Sequence, residues 1–254
     1  MLKRNVALAI LFVLVPVFPA LAQPTGNVAL INKQTPKPGL AEKYEAARKK
    51  HMGWHKAQKD TWGWFTWEVV SGESSGTYFT GTFGHAWKDF DGREKFDQQD
   101  DADVNKTIGP TLGGVFGSYY VRRADLSLTQ PSGDPPSAYS VLTYFRVKPE
   151  GVNDFVEGVK KVNEGIKKTS YPQAGPSGWF QLVNGGEGPL FVLSQGRSSW
   201  AAFAPNDKTL DQMMEEAYGK EQGAAILASL RKTIHSSRTE TIKYRADLSY
   251  VPAK

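Results

Sequence analysis

An internal repeat constrains the fold of this chain more than any other feature of its sequence. The stretch VALINKQTPKP at residues 28–38 is similar to YSVLTYFRVKP at residues 139–149, 111 positions later. The next stretches, LAEKYEAARKK and GVNDFVEGVKK, keep this offset, and the word RADLS closes both copies at residues 123–127 and 245–249. Because a repeat of this kind indicates that one structural unit occurs twice in the chain, we expect two units of the same topology.

Each copy predicts the order strand, helix, strand, strand, helix, strand. The opening stretches alternate apolar and polar residues as half-buried strands do, and the stretches after them have helical spacing. We place the second helix of the first copy around IGPTLGGVFGSYYV, residues 108–121, and the RADLS words in the closing strands. This βαββαβ order is the unit of ferredoxin-like folds, an antiparallel sheet with two helices on one face.

Two such units predict an α+β fold in which the uncovered faces of the two sheets pack together. The motifs VKPEGVNDFVEGVKK, GWFQLVNGGEGPLFVL and SSWAAF resemble the dimeric α+β barrel (ferredoxin-like) superfamily in tandem-fused form, in particular its antibiotic-biosynthesis-monooxygenase and NIPSNAP-like branches. The resemblance implies a pseudo-dimeric α+β barrel. It also implies a ligand pocket between the sheet and the helices of one repeat.

The chain divides into a leader, two repeats and a linker. Lys3 and Arg4 precede an apolar run and a small-residue cleavage pattern, which is typical of a signal peptide. A segment rich in proline, glycine and serine separates the repeats. The signal peptide, first repeat, linker and second repeat are predicted at residues 1–22, 23–130, 131–137 and 138–254. We therefore expect a periplasmic or secreted protein with no membrane span after signal cleavage.

Charge and cysteine content exclude several classes of protein. The formal charge of +5 falls to +3 when Lys3 and Arg4 leave with the signal peptide, which is too little to predict nucleic-acid binding. The chain has no cysteine, so disulfides, thiolate metal sites and covalent haem attachment are excluded. The expected partner is a small apolar or aromatic molecule, and a homo-oligomer stays open.

The first helix of each copy should place one stripe of side chains on its sheet. That stripe is apolar in the second copy, whereas the first copy has a cation and two imidazoles at the matching positions. The aligned pairs are Phe155 and Tyr44, Val159 and Arg48, Val162 and His51, and Ile166 and His55. Burying an unpartnered polar group costs about 1–3 kcal/mol. Either the polar stripe is wet, or it lines a cavity that holds water, a metal or a ligand.

These residues predict a functional site in the first repeat. The catalytic candidates are His51 or His55 as a base and Arg48 as the group that stabilises an anion. The candidate ligand-binding residues are Tyr44, Trp54, Trp62, Trp64 and His85. The predicted function is small-ligand binding, and the resemblance implies monooxygenase activity that is either cofactor-independent or haem-dependent. The alternative is a non-catalytic binding or assembly module.

The histidine pair itself has three interpretations. A spacing of four places both imidazoles on one helix face, which suits zinc or copper, although no third ligand is fixed by spacing. The resemblance also allows a b-type haem bound through His51 or His55. The plainest interpretation is a partly exposed pair on a basic helix.

Three other features are interpreted as structural. The GESSG stretch joins two strands, so Ser74 is predicted to be a hairpin residue and not a nucleophile. The acidic run at residues 97–103 is predicted to be a solvated helix face. Trp87 and Trp200 recur in both copies and are predicted to be packing residues.

Overall fold

A computed structural model describes residues 26–129 and 135–253. The predicted signal peptide lies outside the described residues, as does much of the predicted linker. The first repeat contains β1 (Val28–Pro36), α1 (Ala41–Ala57), β2 (Phe65–Ser71), β3 (Tyr78–His85), α2 (Trp87–Asp91), α3 (Glu94–Thr107) and β4 (Leu112–Arg122). The second contains β5 (Tyr139–Val147), α4 (Val152–Lys168), β6 (Ser177–Asn184), β7 (Leu190–Arg197), α5 (Leu210–Tyr218), α6 (Lys220–Thr233) and β8 (Ile234–Tyr244). In the described part of the chain, every helix is too short or too polar to cross a bilayer.

The strands form a closed antiparallel barrel in the order β1-β3-β2-β8-β5-β7-β6-β4. Each repeat supplies four neighbouring strands, and the repeats join where β2 pairs with β8 and β4 pairs with β6. Closure leaves these strands without a free sheet edge. The predicted fold of two tandem ferredoxin-like βαββαβ repeats in a pseudo-dimeric α+β barrel is therefore confirmed.

The barrel interior is apolar and is shared by the two repeats. Buried Trp67 and Val69 of β2 pack with Ile242 of β8, and partly buried aromatic rings from both halves surround them. Because side chains alternate along a strand, the neighbours of these residues face the helices instead. The shared core makes the barrel one packed unit, while each repeat keeps a separate layer between its sheet and its helices.

The closing RADLS words cross from one repeat into the other. Both follow a strand, since β4 and β8 end before them, so the prediction that they lie in the closing strands is wrong. Leu126 of the first word is buried in the core that contains Phe155, and Leu248 of the second is buried in the core that contains Tyr44. Each helix layer therefore contains a segment of the opposite repeat.

The second helix of the first repeat is misplaced in the sequence prediction. The helix is α3, and the residues around GGVFGSYYV form β4. Aromatic and β-branched residues such as Phe116, Tyr119 and Val121 favour a strand, whereas the polar stretch before them favours a helix. The acidic helix α3 therefore packs on α1, and its carboxylates contact the imidazoles of that helix.

The prediction that Trp87 and Trp200 serve only in packing is correct in part. Trp87 contacts the ring of Tyr119 at 5.5 Å and Trp200 that of Tyr139 at 4.7 Å between centroids. The two tryptophans are nevertheless 46% and 58% exposed. Each begins a short helical segment soon after a strand ends.

Candidate functional site

The polar stripe of α1 is buried. Arg48 is 3% exposed, and His51 and His55 are each 1% exposed. The interpretation of the histidines as a partly exposed pair on a basic helix is therefore wrong. Buried imidazoles and guanidinium groups need partners, because desolvation disfavours a charge or an unmet hydrogen bond.

Each imidazole is anchored by a carboxylate. Nδ1 of His51 lies 2.8 Å from Oδ2 of Asp103, and Nδ1 of His55 lies 2.9 Å from Oδ2 of Asp60. Since an ionised carboxylate only accepts hydrogen bonds, each Nδ1 carries a proton and donates it. In the neutral imidazoles both Nε2 atoms are then lone-pair acceptors. Burial lowers the pKa of His55 and favours this neutral form, although the hydrogen bond to Asp60 opposes the shift.

The two Nε2 atoms converge on the same point. They lie 3.1 Å apart, and Oδ1 of Asp100 lies 3.2 Å from that of His51 and 3.5 Å from that of His55. Oδ1 of Asp100 is buried and has no hydrogen-bond partner. Three electron-rich atoms at these distances repel one another unless a cation, either a proton or a metal ion, lies among them.

Asp60 links this triangle to a second layer of donors. Its carboxylate accepts two hydrogen bonds from Arg93, both of 2.7 Å, and one of 2.9 Å from Nε1 of Trp64. The backbone N–H of Trp62 donates a further one at 3.0 Å. Although burial acts to raise the pKa of Asp60, hydrogen bonds from His55, Arg93 and the two tryptophans hold it well below its usual range. A permanently ionised Asp60 therefore fixes the His55 ring.

Aromatic rings wall the imidazole pair. Trp54 stacks on His51 with 5.8 Å between ring centroids, and Tyr250 stacks on His55 at the same distance. Trp64 covers His55 at 5.5 Å, and Phe96 of α3 contacts Trp54 at 5.4 Å. These rings exclude water and so strengthen the electrostatic interactions inside the site.

The remaining predicted residues lie beside the pair. His85 stacks on Trp62 at 3.7 Å, and Trp62 in turn contacts Arg93, so both belong to the layer behind Asp60. Burial lowers the pKa of His85 to about 4, which keeps it neutral. Tyr44 lies at the other end of the stripe, where its hydroxyl donates to Gln34 at 2.7 Å.

Sequence reasoning missed several residues of the site. They are Asp60, Arg93, Phe96, Asp100, Asp103 and Tyr250. The interpretation of residues 97–103 as a solvated face is wrong for Asp100 and Asp103, whose spacing of three places them on one face of α3. That spacing was the available signal, but it gains meaning only when α3 packs on α1.

The donor set fits a metal ion better than a haem. A tetrahedral zinc site with ligand distances of about 2.0–2.1 Å has ligand-to-ligand edges of about 3.3 Å, and the triangle has edges of 3.1, 3.2 and 3.5 Å. A haem would need one free Nε2 facing an open slot. Here each Nε2 faces the other, and aromatic side chains cover the rings.

Comparisons with solved structures agree with the barrel. The chain is similar to an anthrone oxidase-like protein at 14% identity, over 89% of this chain and 94% of that one, with a TM-score of 0.53. A protein of Lactobacillus acidophilus NCFM to which monooxygenase activity is ascribed is 10% identical over 89% and 96% of the chains, with a TM-score of 0.52. A mutant chlorite dismutase from Candidatus Nitrospira defluvii is 7% identical over 88% and 93%, also at 0.52.

These identities show the fold alone. The chain has the tandem-fused dimeric α+β barrel fold, as the resemblance implied. No family model matches the sequence, and no curated protein matches it. What the protein does has to be argued from its own side chains.

Proposed function

We propose that this protein is an exported metal-binding α+β barrel protein whose first repeat binds one divalent transition-metal ion. The ligands are Nε2 of His51, Nε2 of His55 and Oδ1 of Asp100. The observation that carries the proposal is their convergence within 3.1–3.5 Å while both Nδ1 atoms are held by other carboxylates. Imidazole and carboxylate ligands suit zinc and copper, so the site does not require the cysteine thiolates that this chain lacks. The predicted leader supports the exported part of the proposal.

The surroundings match those of metal-binding histidines. In such sites the second ring nitrogen donates to a carboxylate or carbonyl, which fixes the tautomer and raises ligand basicity. Asp103 and Asp60 have this role here. Arg93 neutralises Asp60 through two hydrogen bonds, so that Asp60 holds its imidazole without competing as a ligand.

A bound metal would supply Lewis acidity, and the chain would supply orientation and a dry environment. Three protein ligands leave a coordination position for water or a small ligand. The neighbouring rings of Trp54 and Trp64 favour a second candidate function, the binding of a small aromatic molecule near this position and its oxidation by O2. Structural neighbours with oxidase and monooxygenase descriptions support that candidate only through the fold.

Metal binding is tested with protein stripped by a chelator and reloaded with Zn²⁺, Cu²⁺ or Co²⁺. We expect a single ion per chain, and a Co²⁺ absorption spectrum typical of tetrahedral geometry. His51→Ala, His55→Ala and Asp100→Asn should each weaken binding by at least about 100-fold. His235→Ala, which changes an exposed histidine of the second repeat, is the matched control. Stoichiometric binding that survives Asp100→Asn would contradict the proposed ligand set.

The aromatic-ligand candidate has a separate readout. Tryptophan fluorescence of the metal-loaded protein should change saturably with a small aromatic probe such as phenol, because Trp54 and Trp64 lie against the imidazoles. Trp54→Leu should reduce the change, whereas Trp200→Leu, at an exposed position of the second repeat, should not. An unchanged signal on titration would remove this candidate and leave metal binding alone.

A further inference from the structure

Arg48 is a buried cation without an anionic partner. Its side chain is 3% exposed, and among the described residues no carboxylate oxygen lies within 4.0 Å of it. Nε makes two long contacts with neutral acceptors, at 3.3 Å to Oγ1 of Thr66 and 3.4 Å to the carbonyl of Leu248. Nη2 is buried and has no hydrogen-bond partner. Burial lowers the pKa of Arg48, which shows how poorly the site solvates the charge.

Two arginines that do have carboxylate partners show what Arg48 lacks. Arg93 is also buried and has a two-point contact with Asp60. Arg245 makes a similar two-point contact with Glu45. In the second repeat the position of Arg48 is occupied by Val159, which packs in an apolar core. The fold at this position therefore does not require a cation, so the unpaired guanidinium points to a ligand.

Arg48 lies close to the proposed metal. It precedes His51 by three residues on α1, a spacing that places the side chains next to each other. Asp100 is the carboxylate whose charge acts on Arg48 across the site. If Asp100 binds a divalent metal, its charge is shared with that metal. The metal and Arg48 then carry three positive charges against the two negative charges of Asp100 and Asp103, because Arg93 already neutralises Asp60.

We propose that a small carboxylate binds between Arg48 and the metal, with one oxygen on Nη2 and the other at the free coordination position. This inference rests on the proposed function, and it specifies the ligand class of the same site. A carboxylate fits because it offers two oxygens in one plane, accepts charge-assisted hydrogen bonds from a guanidinium, and is a good ligand for zinc or copper. It also removes the excess positive charge.

The test uses Co²⁺-loaded protein titrated with acetate at constant ionic strength, with perchlorate as the balancing anion. We expect a saturable change in the visible Co²⁺ bands. Arg48→Met should weaken acetate binding by about tenfold or more, since a charge-assisted hydrogen bond is lost. It should not weaken Co²⁺ binding, because it removes a positive charge beside the metal. Arg48→Lys should restore part of the effect, and Arg231→Met, at an exposed arginine of the second repeat, should match the wild type.

Stability measurements show whether Arg48→Met folds and keep the two proposals separate. Methionine removes an unpaired buried charge at a position where the second repeat has an aliphatic residue, so without acetate the variant should unfold at or above the wild-type temperature. Metal-free wild type should gain thermal stability with acetate, and Arg48→Met should not. If Co²⁺ fails to bind, the proposed function fails, but an Arg48-dependent acetate effect still supports the anion site. Equal acetate responses in wild type and Arg48→Met, or no response in either form of the protein, would overturn it.

Discussion

The helix layers that cover the two halves of the barrel differ in their side chains, which are apolar in the second repeat and largely polar in the first. In the second repeat, α4 packs on its sheet through Phe155 and Val159, and α5 and α6 bury two methionines, an isoleucine and a leucine. In the first repeat, α1 presents Arg48, His51 and His55, and α3 has no fully buried side chain. The helices α1 and α3 meet through imidazole–carboxylate contacts as well as through the rings of Trp54 and Phe96.

This difference assigns stability mainly to the second repeat and the proposed function to the first. Apolar contacts are non-directional and tolerate approximate geometry, whereas a buried polar network is stable only when every member is paired. The same backbone plan therefore serves as a scaffold in one half. In the other half it holds ionisable groups in a fixed arrangement, at a cost that the apolar second repeat and the shared barrel core offset.

The largest effect is expected for the apolar layer. Phe155→Ala should lower the free energy of unfolding by about 3–5 kcal/mol, because it leaves a cavity in a fully buried core. Metal affinity of the folded protein should not change. Urea denaturation with and without Zn²⁺ measures both quantities, and Val251→Ala, at an exposed residue, is the control. A loss of metal binding in Phe155→Ala would show that the two layers are coupled.

In the polar layer, Asp60→Asn should destabilise the protein by about 3 kcal/mol, because Arg93 is left buried without its partner. It should also weaken metal binding by about 10–100-fold, since His55 loses the carboxylate that fixes its ring. Asp211→Asn breaks an exposed pair with Arg231 in the second repeat and should cost at most about 1 kcal/mol. Similar losses for the two variants would mean that Asp60 is no more than a surface partner.

Acid should destabilise the polar layer through His85. Its pKa is about 4 in the folded protein, whereas an unfolded histidine titrates near about 6.5. Between these values the unfolded chain binds a proton that the folded protein does not, so stability falls as pH falls through this window, by up to about 3 kcal/mol. His85→Phe should flatten that slope, and His235→Phe should leave it unchanged. Identical pH slopes for wild type and His85→Phe would refute the prediction.

The smallest effects are expected for Tyr44 and Phe155, the aligned pair at the start of the two stripes. Tyr44→Phe removes the hydroxyl that donates to Gln34 and should cost about 1 kcal/mol, because the amide oxygen is left unpaired. The reciprocal change, Phe155→Tyr, buries a hydroxyl in an apolar core and should cost more. Chemical denaturation of both variants tests the order, and the reverse order would contradict the contrast between the layers.

Much of the fold could be predicted because it is repeated and periodic. Two copies of a strand and helix pattern, ending in the same word, predict two ferredoxin-like units whose open sheet faces need each other. The error in the second helix arose because β4 contains several glycines and lies next to a polar stretch, so local pattern alone placed the boundary wrongly. The crossing of Leu126 and Leu248 between repeats had no local signal, since a leucine in a turn can be buried by either half.

The candidate site could be predicted in part for a similar reason. Comparison of the copies identified Arg48, His51 and His55 as polar residues at core positions, which is a property of one helix. Their partners come from elsewhere: Asp60 follows α1, Asp100 and Asp103 lie on α3, and Tyr250 lies near the end of the chain. No spacing rule connects residues that meet only through the packing of α3 and the crossing of the last segment.

The amino-acid sequence by itself determined that the chain is a doubled α+β protein and that one copy carries ionisable groups at positions where the other carries core residues. Hydrophobic periodicity encodes which face of an element is buried, and it can be read locally. Only the tertiary structure decided that the two Nε2 atoms and Oδ1 of Asp100 converge, with both imidazoles anchored by carboxylates. This convergence depends on distances of about 3 Å between residues as far apart as His51 and Asp100, and such distances are set by how whole helices pack.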